Sequence, residues 1–198
     1  MDESRAFLDR VFQHMPTLPV TRFDFRNWRH GDRPTNEGFG LMPLSGFDPE
    51  RVIGRVMDVA RYQGNIDFVQ ESRVVPDPAC TPPQAVHFYQ RVGVPVLGDI
   101  HMELVLTDFG TRDGWRVAAW SQHANTARLD NKKATRTEYN VGAWLVRDGY
   151  VGYALSSSPM RDDVGRLKFA ALTKGADAGA GKMIQANIEG MVAWSKRG

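Results

Sequence analysis

Residues 99–123 read DIHMELVLTDFGTRDGWRVAAWSQH, and apolar and polar residues alternate on either side of a central Arg-Asp-Gly. An alternation of period two is the pattern of a β-strand with one face in the core. Asp113 and Gly114 favour a tight hairpin, because both residues tolerate positive φ. The segment therefore predicts two antiparallel strands, Asp99–Phe109 and Gly114–His123.

The same period continues on both sides of this hairpin. Short connections rich in turn residues separate the segments, which is typical of an antiparallel meander. Four further strands are predicted, at Phe68–Val75, Gln84–Val94, Thr135–Arg147 and Tyr150–Ser157. Two extended pieces precede them, at Thr21–Trp28 and Gly38–Phe47.

Helical periodicity appears at three places. Glu3–Met15 forms a short amphipathic segment, and Asp48-Pro49-Glu50 is a favourable helix start that combines a capping side chain, a first-turn proline and an acidic residue. After Pro159 an apolar stripe runs to Ser195, with Gly175–Gly181 as the site of a kink or a break between two helices. One face of a sheet of this size must be covered by another element, and the terminal helix has the apolar surface to cover it. A sheet curled round one helix is expected to leave a cavity on its concave side.

Composition excludes several classes of protein. The net charge is +2 and no segment carries a dense block of basic residues, so nucleic acid is not an expected partner. Cys80 is the only cysteine, which excludes an intrachain disulfide and fits a reducing compartment. The acidic start of the chain and the absence of a long apolar run predict a cytoplasmic protein. The 198 residues are expected to form one domain, with an N-terminal helix and extra strand in 1–46 and the core in 47–198.

Three segments resemble a known superfamily. They are Asp48–Tyr62 with the strand that follows, Tyr89–Glu103, and Tyr150–Ser157 leading into a helix that ends at Trp194. In this order they are similar to the START and polyketide-cyclase (SRPBCC) superfamily over residues 47–196. The resemblance implies an α+β helix-grip fold, in which a curved antiparallel β-sheet wraps around a long C-terminal α-helix. It also implies a lipid or another hydrophobic ligand between the sheet and that helix.

Alternation then selects candidate ligand contacts. On the first strand of the hairpin Asp99, His101 and Glu103 are expected in solvent, with the alternate residues facing the helix. Methionines on the terminal helix suit a pocket that adapts to the shape of its ligand. The alternative, that these residues only fill a core, stays open. The predicted contacts are Met102, Leu104, Trp115, Val117, Tyr139, Val141, Met183, Asn187, Ile188 and Met191.

His87, Tyr89 and Arg91 form the sharpest polar cluster, on one face of a predicted strand. Pointing inward, they would bind the polar end of a ligand or act as acid–base groups in an aldol cyclisation, because histidine titrates near neutrality. Pointing outward, they would form a solvated face. The outward orientation fits the hydrophobicity better, since Val86 and Phe88 then lie in the core.

The function predicted from these features is a carrier or sensor of a hydrophobic small molecule, without catalysis and without a cofactor. Transient contact with a membrane surface is compatible with that role. The five histidines are scattered along the chain, so no metal site is expected. An aromatase/cyclase that uses His87, Tyr89 and Arg91 is the alternative, and a regulatory or stress-linked interaction domain is a third.

Overall fold

The computed structural model describes residues 3–94, 98–132 and 134–197, without the side chains of residues 171, 172 and 174–178. The helices are α1 (Glu3–His14), α2 (Pro49–Met57), α3 (Arg161–Val164) and α4 (Arg166–Lys196). The strands are β1 (Asp24–Trp28), β2 (Glu37–Pro43), β3 (Val69–Val74), β4 (Ala85–Val94), β5 (Gly98–Arg112), β6 (Trp115–Gln122), β7 (Thr135–Arg147) and β8 (Tyr150–Pro159). Short 3-10 helices occupy Val59–Arg61 and Ala124–Arg128.

All eight strands belong to one sheet, in the order β1-β2-β8-β7-β6-β5-β4-β3, and neighbours in this order are antiparallel. The sheet curls enough for the start of β5 to pair in parallel with the start of β7, at Ile100 and Thr135. Between β5 and β6 both Asp113 and Gly114 have positive φ, as the hairpin requires. The predicted α+β helix-grip fold is confirmed.

Helix α2 begins as its sequence predicts. The Asp48 carboxylate accepts a 3.0 Å hydrogen bond from the backbone N–H of Glu50, and Pro49 occupies the first turn. The cap satisfies an N–H group that has no partner within the helix. Val52, Ile53 and Val56 are buried, so this face of the helix completes the core beside α4.

Helix α4 runs for 31 residues without the break that the glycines at 175–181 allowed. The aromatic ring of Phe25 lies 3.2 Å from where a Cβ would stand on Gly181, so at this position a small residue permits close packing of β1. No helix of the described part of the chain is both long and apolar enough to cross a bilayer.

The sheet has two apolar faces. The concave face packs against α2 and α4, and the outer face packs against α1. The outer layer is built from Phe7, Leu8 and Val11 of α1 together with Phe39, Leu41, Trp115, Val117, Ala119, Val141, Ala143, Leu145 and Ala154. Because helices cover both faces, the central strands are apolar on both sides and their sequences do not alternate cleanly.

Candidate functional site

The candidate site is the concave face of the sheet beneath α4. Met102 and Leu104 of β5 and Trp120 of β6 lie there in the same apolar cluster as Ile188 and Met191 of α4. All five side chains are buried. This confirms the predicted concave position of Met102, Leu104, Ile188 and Met191, whereas their contact with a ligand stays a prediction.

One polar group interrupts this apolar face. The side-chain oxygen of Asn140 accepts a 2.7 Å hydrogen bond from the indole N–H of Trp120. Its amide nitrogen donates to the Met102 thioether at 3.1 Å and to the Ser157 hydroxyl oxygen at 3.3 Å, so both ends of the amide have partners within the protein. A thioether sulfur is a weak acceptor, and a ligand oxygen would be a stronger partner for that N–H group.

The tyrosines of this cluster stay neutral. Burial raises the pKa of Tyr153 and of Tyr62 far above the ordinary value for a phenol. The Tyr153 ring lies 4.5 Å from Trp144 and 5.6 Å from Trp120, centroid to centroid. The wall next to Asn140 is therefore aromatic and uncharged.

The C-terminal half of α4 lies on the concave face. The C-terminal half is closely packed: Ile184 and Phe23 occupy the space over Gly40, with a Phe23 ring carbon 2.7 Å from where a Cβ would stand. At the other end, β8 leads through α3 directly into the N-terminal half of α4. On the concave face Ile100, Leu155 and Ser157 are half-buried, and Ser157 stands opposite Asn140 across β7 and β8.

The prediction of which residues of β6 and β7 face the terminal helix is wrong. Trp115, Val117 and Val141 pack under α1 on the outer face, in the cluster that contains Phe7. Tyr139 also points outward, where its hydroxyl lies 2.5 Å from the Thr35 hydroxyl. The reason is that α1 buries the outer face, so both sets of alternate residues in these strands are apolar and alternation alone does not choose between them.

The prediction of which α4 residues face the sheet is correct except at its first residue, Met183. Met183 is 41% exposed, whereas Ile184 beside it is buried. Adjacent helical residues are separated by about 100° around the axis, so both cannot face the sheet centrally. Asn187 is half-buried, and its contact with a ligand stays a prediction.

His87, Tyr89 and Arg91 lie on the outer face, because their alternates Val86, Phe88 and Val92 pack in the concave cluster. They are not simply solvated, since His87 and Tyr89 are buried and Arg91 is half-buried. The expectation that His101 and Glu103 face solvent is also wrong. Both are buried, and Thr126 of the second 3-10 helix covers Glu103, with its hydroxyl 2.8 Å from the Glu103 backbone nitrogen.

Sequence reasoning missed Trp120, Asn140 and Ser157. A usable signal was the pairing of a large with a small residue: Trp120 stands opposite Gly142, and its ring fills the space where a side chain on that glycine would lie. When a large residue stands opposite a small one on the neighbouring strand, the pair indicates which face of the sheet carries the large ring.

An ion pair fixes the start of α4. The Asp163 carboxylate of α3 accepts hydrogen bonds from the Arg136 side chain at 2.7 and 2.9 Å, from its backbone N–H at 2.9 Å and from the Asn131 amide at 2.6 Å. The Arg136 hydrogen bonds lower the pKa of Asp163 to about 2, outweighing the opposing effect of burial. The contact ties α3, which leads directly into α4, to β7.

Replacing Asp163 by asparagine is expected to lower the free energy of unfolding at pH 7 by about 2 kcal/mol. The pKa of the folded state is below the ordinary value, so the stabilisation is present above about pH 4 and is lost as the pH falls through about 2. Urea unfolding of both proteins between pH 7 and pH 2.5 measures this, and the difference should shrink on acidification. Asp162→Asn, at an exposed neighbour, is the matched control. A difference that did not depend on pH would contradict the assignment.

Two surface clefts lie away from Asn140. A cleft of about 340 Å³ is lined by residues between Pro16 and Arg26. Another of about 410 Å³ lies between the start of α2 and the end of α4, lined by Phe47, Asp48, Arg51 and their neighbours. Neither includes Asn140, Met102 or Leu155 among its lining residues.

Solved structures with a similar fold fall into two groups. A STAR-related lipid transfer protein from Xanthomonas axonopodis has a TM-score of 0.70 at 13% identity, over 91% of this chain and 97% of that one. Human STARD10 has a TM-score of 0.73 at 12% identity, over 98% and 80%. The Zhui aromatase/cyclase of a Streptomyces species has a TM-score of 0.55 at 13% identity, over 88% and 95%. No family model matches the chain, and no curated protein matches it.

These likenesses establish the fold. At such identities a shared fold carries no information about the ligand, since one fold supports many functions. Lipid transfer proteins and aromatase/cyclases share the START-like helix-grip architecture with this chain. The choice between their roles depends on the residues of the site.

Proposed function

We propose that the protein binds a hydrophobic small molecule or lipid against the concave face of its sheet, beneath the first half of α4, as a carrier or sensor. The observation that carries the proposal is the Asn140 amide, a polar side chain on an otherwise apolar face that donates to the weakly accepting Met102 thioether and to the Ser157 hydroxyl oxygen. Apolar walls with one or a few oriented polar groups are typical of small-molecule sites.

Apolar contact supplies most of the proposed affinity. Each methylene group moved from water to such a surface contributes about 0.8 kcal/mol. A ligand that buries about ten carbons gains enough to exceed the entropy lost on association. A neutral hydrogen bond from Asn140 adds about 1 kcal/mol and fixes the orientation of the ligand.

The outward direction of His87, Tyr89 and Arg91 favours binding over the aromatase/cyclase alternative. The sheet separates these side chains from Met102 and Leu104, so they do not face a ligand beneath α4. A cyclase mechanism that relies on the three residues loses its acid–base groups. Asn140 and Ser157, next to the site, do not titrate near neutral pH, and burial raises the pKa of the neighbouring Tyr153 phenol far above neutrality.

Transient contact with a membrane surface belongs to the same proposal. Leu167 in the first turn of α4 is 91% exposed, and Met183 further along the helix is 41% exposed. Exposed apolar side chains on a helix above a lipid site suit brief contact with a lipid surface.

The experiment measures binding of a fluorescent fatty acid to the wild-type chain and to Leu155→Trp. Leu155 is half-buried beside Asn140, so the larger indole should occupy the space of the ligand and weaken binding at least tenfold. Thr111→Trp adds the same ring at an exposed position of β5 and should bind like the wild type. Ser157→Leu adds volume at the same site and replaces Leu155→Trp if that variant does not fold.

Two outcomes would overturn the proposal. One is a wild-type protein that neither takes up the fatty acid nor releases an apolar compound on solvent extraction. The other is equal binding by wild type, Leu155→Trp and Ser157→Leu, because the ligand would then lie elsewhere on the protein.

A further inference from the structure

Three titratable side chains meet on the outer face of the sheet, away from the proposed ligand site. Asp77 comes from the β3–β4 loop, His87 from β4, and His123 precedes the second 3-10 helix. The Asp77 carboxylate lies 3.1 Å from Nδ1 of His87 and 4.0 Å from Nε2 of His123. The two imidazole rings are 4.2 Å apart, and all three donor atoms lie within 4.8 Å of one another.

A hydrogen bond on the side of the ring opposite Asp77 fixes the orientation of His87. Its Nε2 lies 2.8 Å from the Glu103 carboxylate, which also accepts a 3.1 Å hydrogen bond from the Asn125 amide. If a metal ion binds Nδ1, the ring keeps its proton on Nε2 and donates it to Glu103. A histidine that donates one N–H to a carboxylate and presents its other nitrogen is the usual arrangement of a metal ligand.

The Nδ1 atom of His87 is buried and has no hydrogen-bond partner among the described residues, and its side chain is only 2% exposed. The nearest carboxylate oxygen, of Asp77, lies 3.1 Å from Nδ1 without forming a hydrogen bond to it. A buried polar atom without a partner destabilises the folded state. A cation bound to both Nδ1 and the Asp77 carboxylate supplies that partner.

We propose that Asp77, His87 and His123 bind a divalent first-row transition metal, with Zn²⁺ as the ion that fits best. One carboxylate and two imidazoles are a common zinc ligand set, with metal–ligand bonds of about 2.0–2.2 Å. Ligands of a tetrahedral ion are then about 3.3 Å apart, which the Asp77–His87 pair nearly matches. Asp77 and His123 lie outside the strands and close the remaining gap by small movements.

His123 is the weakest of the three ligands. Its Nδ1 accepts a 3.1 Å hydrogen bond from the backbone N–H of Asn125, which places the proton of the neutral ring on Nε2. Coordination through Nε2 moves that proton to Nδ1 and opens the Asn125 contact. The free energy of coordination must exceed this loss, so His123 contributes less to affinity than His87.

The bound ion would pin the β3–β4 loop to the sheet. Asp77 is the only one of the three ligands that belongs to the loop, while His87 lies in β4 and His123 follows β6. A ligand that binds only the folded state stabilises it in proportion to the logarithm of its concentration. At 100 times Kd the midpoint of thermal unfolding should rise by about 5–10 °C.

The test uses the full chain after treatment with a chelator, followed by Zn²⁺ or Co²⁺. The wild type should show the rise in the unfolding midpoint with Zn²⁺, and a visible absorption band of low-symmetry Co²⁺. Asp77→Asn and His87→Gln should each weaken binding at least tenfold. His101→Gln changes a buried histidine on the same face, whose Nε2 also lacks a hydrogen-bond partner. Among the described residues His101 belongs to no cluster of metal-ligating side chains, so this variant should bind like the wild type.

Asp77→Asn keeps the proposal falsifiable, because the variant should fold. Its side-chain oxygen still accepts from the Ala79 backbone N–H, as Asp77 does at 2.9 Å, and its new amide can donate to Nδ1 of His87. Equal binding by this variant, His87→Gln and the wild type would place the ion elsewhere and overturn the proposal. A wild type with neither a Zn²⁺ shift nor a Co²⁺ band would overturn it too, leaving a proton between Asp77 and His87 as the explanation of their contact.

Discussion

Replacing Glu37 by alanine is expected to lower the free energy of unfolding by about 3–5 kcal/mol, the range for breaking a buried ion pair. The Glu37 side chain is fully buried on the outer face of β2. It accepts hydrogen bonds from Arg10 of α1 at 2.7 and 2.8 Å and from the Trp28 indole N–H at 2.7 Å. Without the carboxylate, a guanidinium that is only 18% exposed loses its counter-charge.

The loss should appear in urea unfolding at neutral pH, with an unchanged slope and a lower midpoint. Glu37→Gln keeps the shape and one acceptor oxygen, so its effect should lie between those of wild type and Glu37→Ala. Glu138→Ala removes an exposed glutamate and should change stability by less than about 0.5 kcal/mol. A change below about 1 kcal/mol for Glu37→Ala would mean that Arg10 and Trp28 find other partners.

The strands could be predicted from the sequence because runs of residues that favour extended structure are bounded by turn residues. The Asp113-Gly114 hairpin and the Asp48 cap depend on local geometry, so local sequence identifies them. The prediction that Ile188 and Met191 face the sheet is correct for the same reason. The residues that share one side of a helix follow from their spacing in the sequence.

The face of each central strand could not be predicted in this way. Val117 and Val141 are as apolar as residues of the concave face, because α1 covers the outer face with a second apolar layer. The sequences of β6 and β7 do not indicate that this layer exists. The contact of Asp77 and His87 with His123 has a similar cause. It depends on a loop folding over the sheet and on a 3-10 turn more than thirty residues further along the chain, and histidine has no strong preference between core and surface.

Replacing Gly40 by alanine is expected to destabilise the protein by about 1–3 kcal/mol, the range for overpacking a filled core. Gly40 lies in β2 on the concave face, where α4 approaches the sheet. A new Cβ would collide with the Cγ2 atom of Ile184 and stand 2.7 Å from a Phe23 ring carbon. Both contacts are closer than real Cβ atoms allow, so Ile184 of α4 and Phe23, just before β1, must shift.

Gly54→Ala is the matched control, because it makes the same chemical change at an exposed position of α2 with no atom within 4 Å of the new Cβ. Alanine is favoured over glycine in a helix interior by about 1 kcal/mol, so this variant should be more stable than the wild type. The two substitutions should therefore shift the midpoint of thermal unfolding in opposite directions, by several degrees in total. If Gly40→Ala were as stable as the wild type, α4 would not rest on β2 as closely as described, and the C-terminal half of the helix would leave room for a ligand as well.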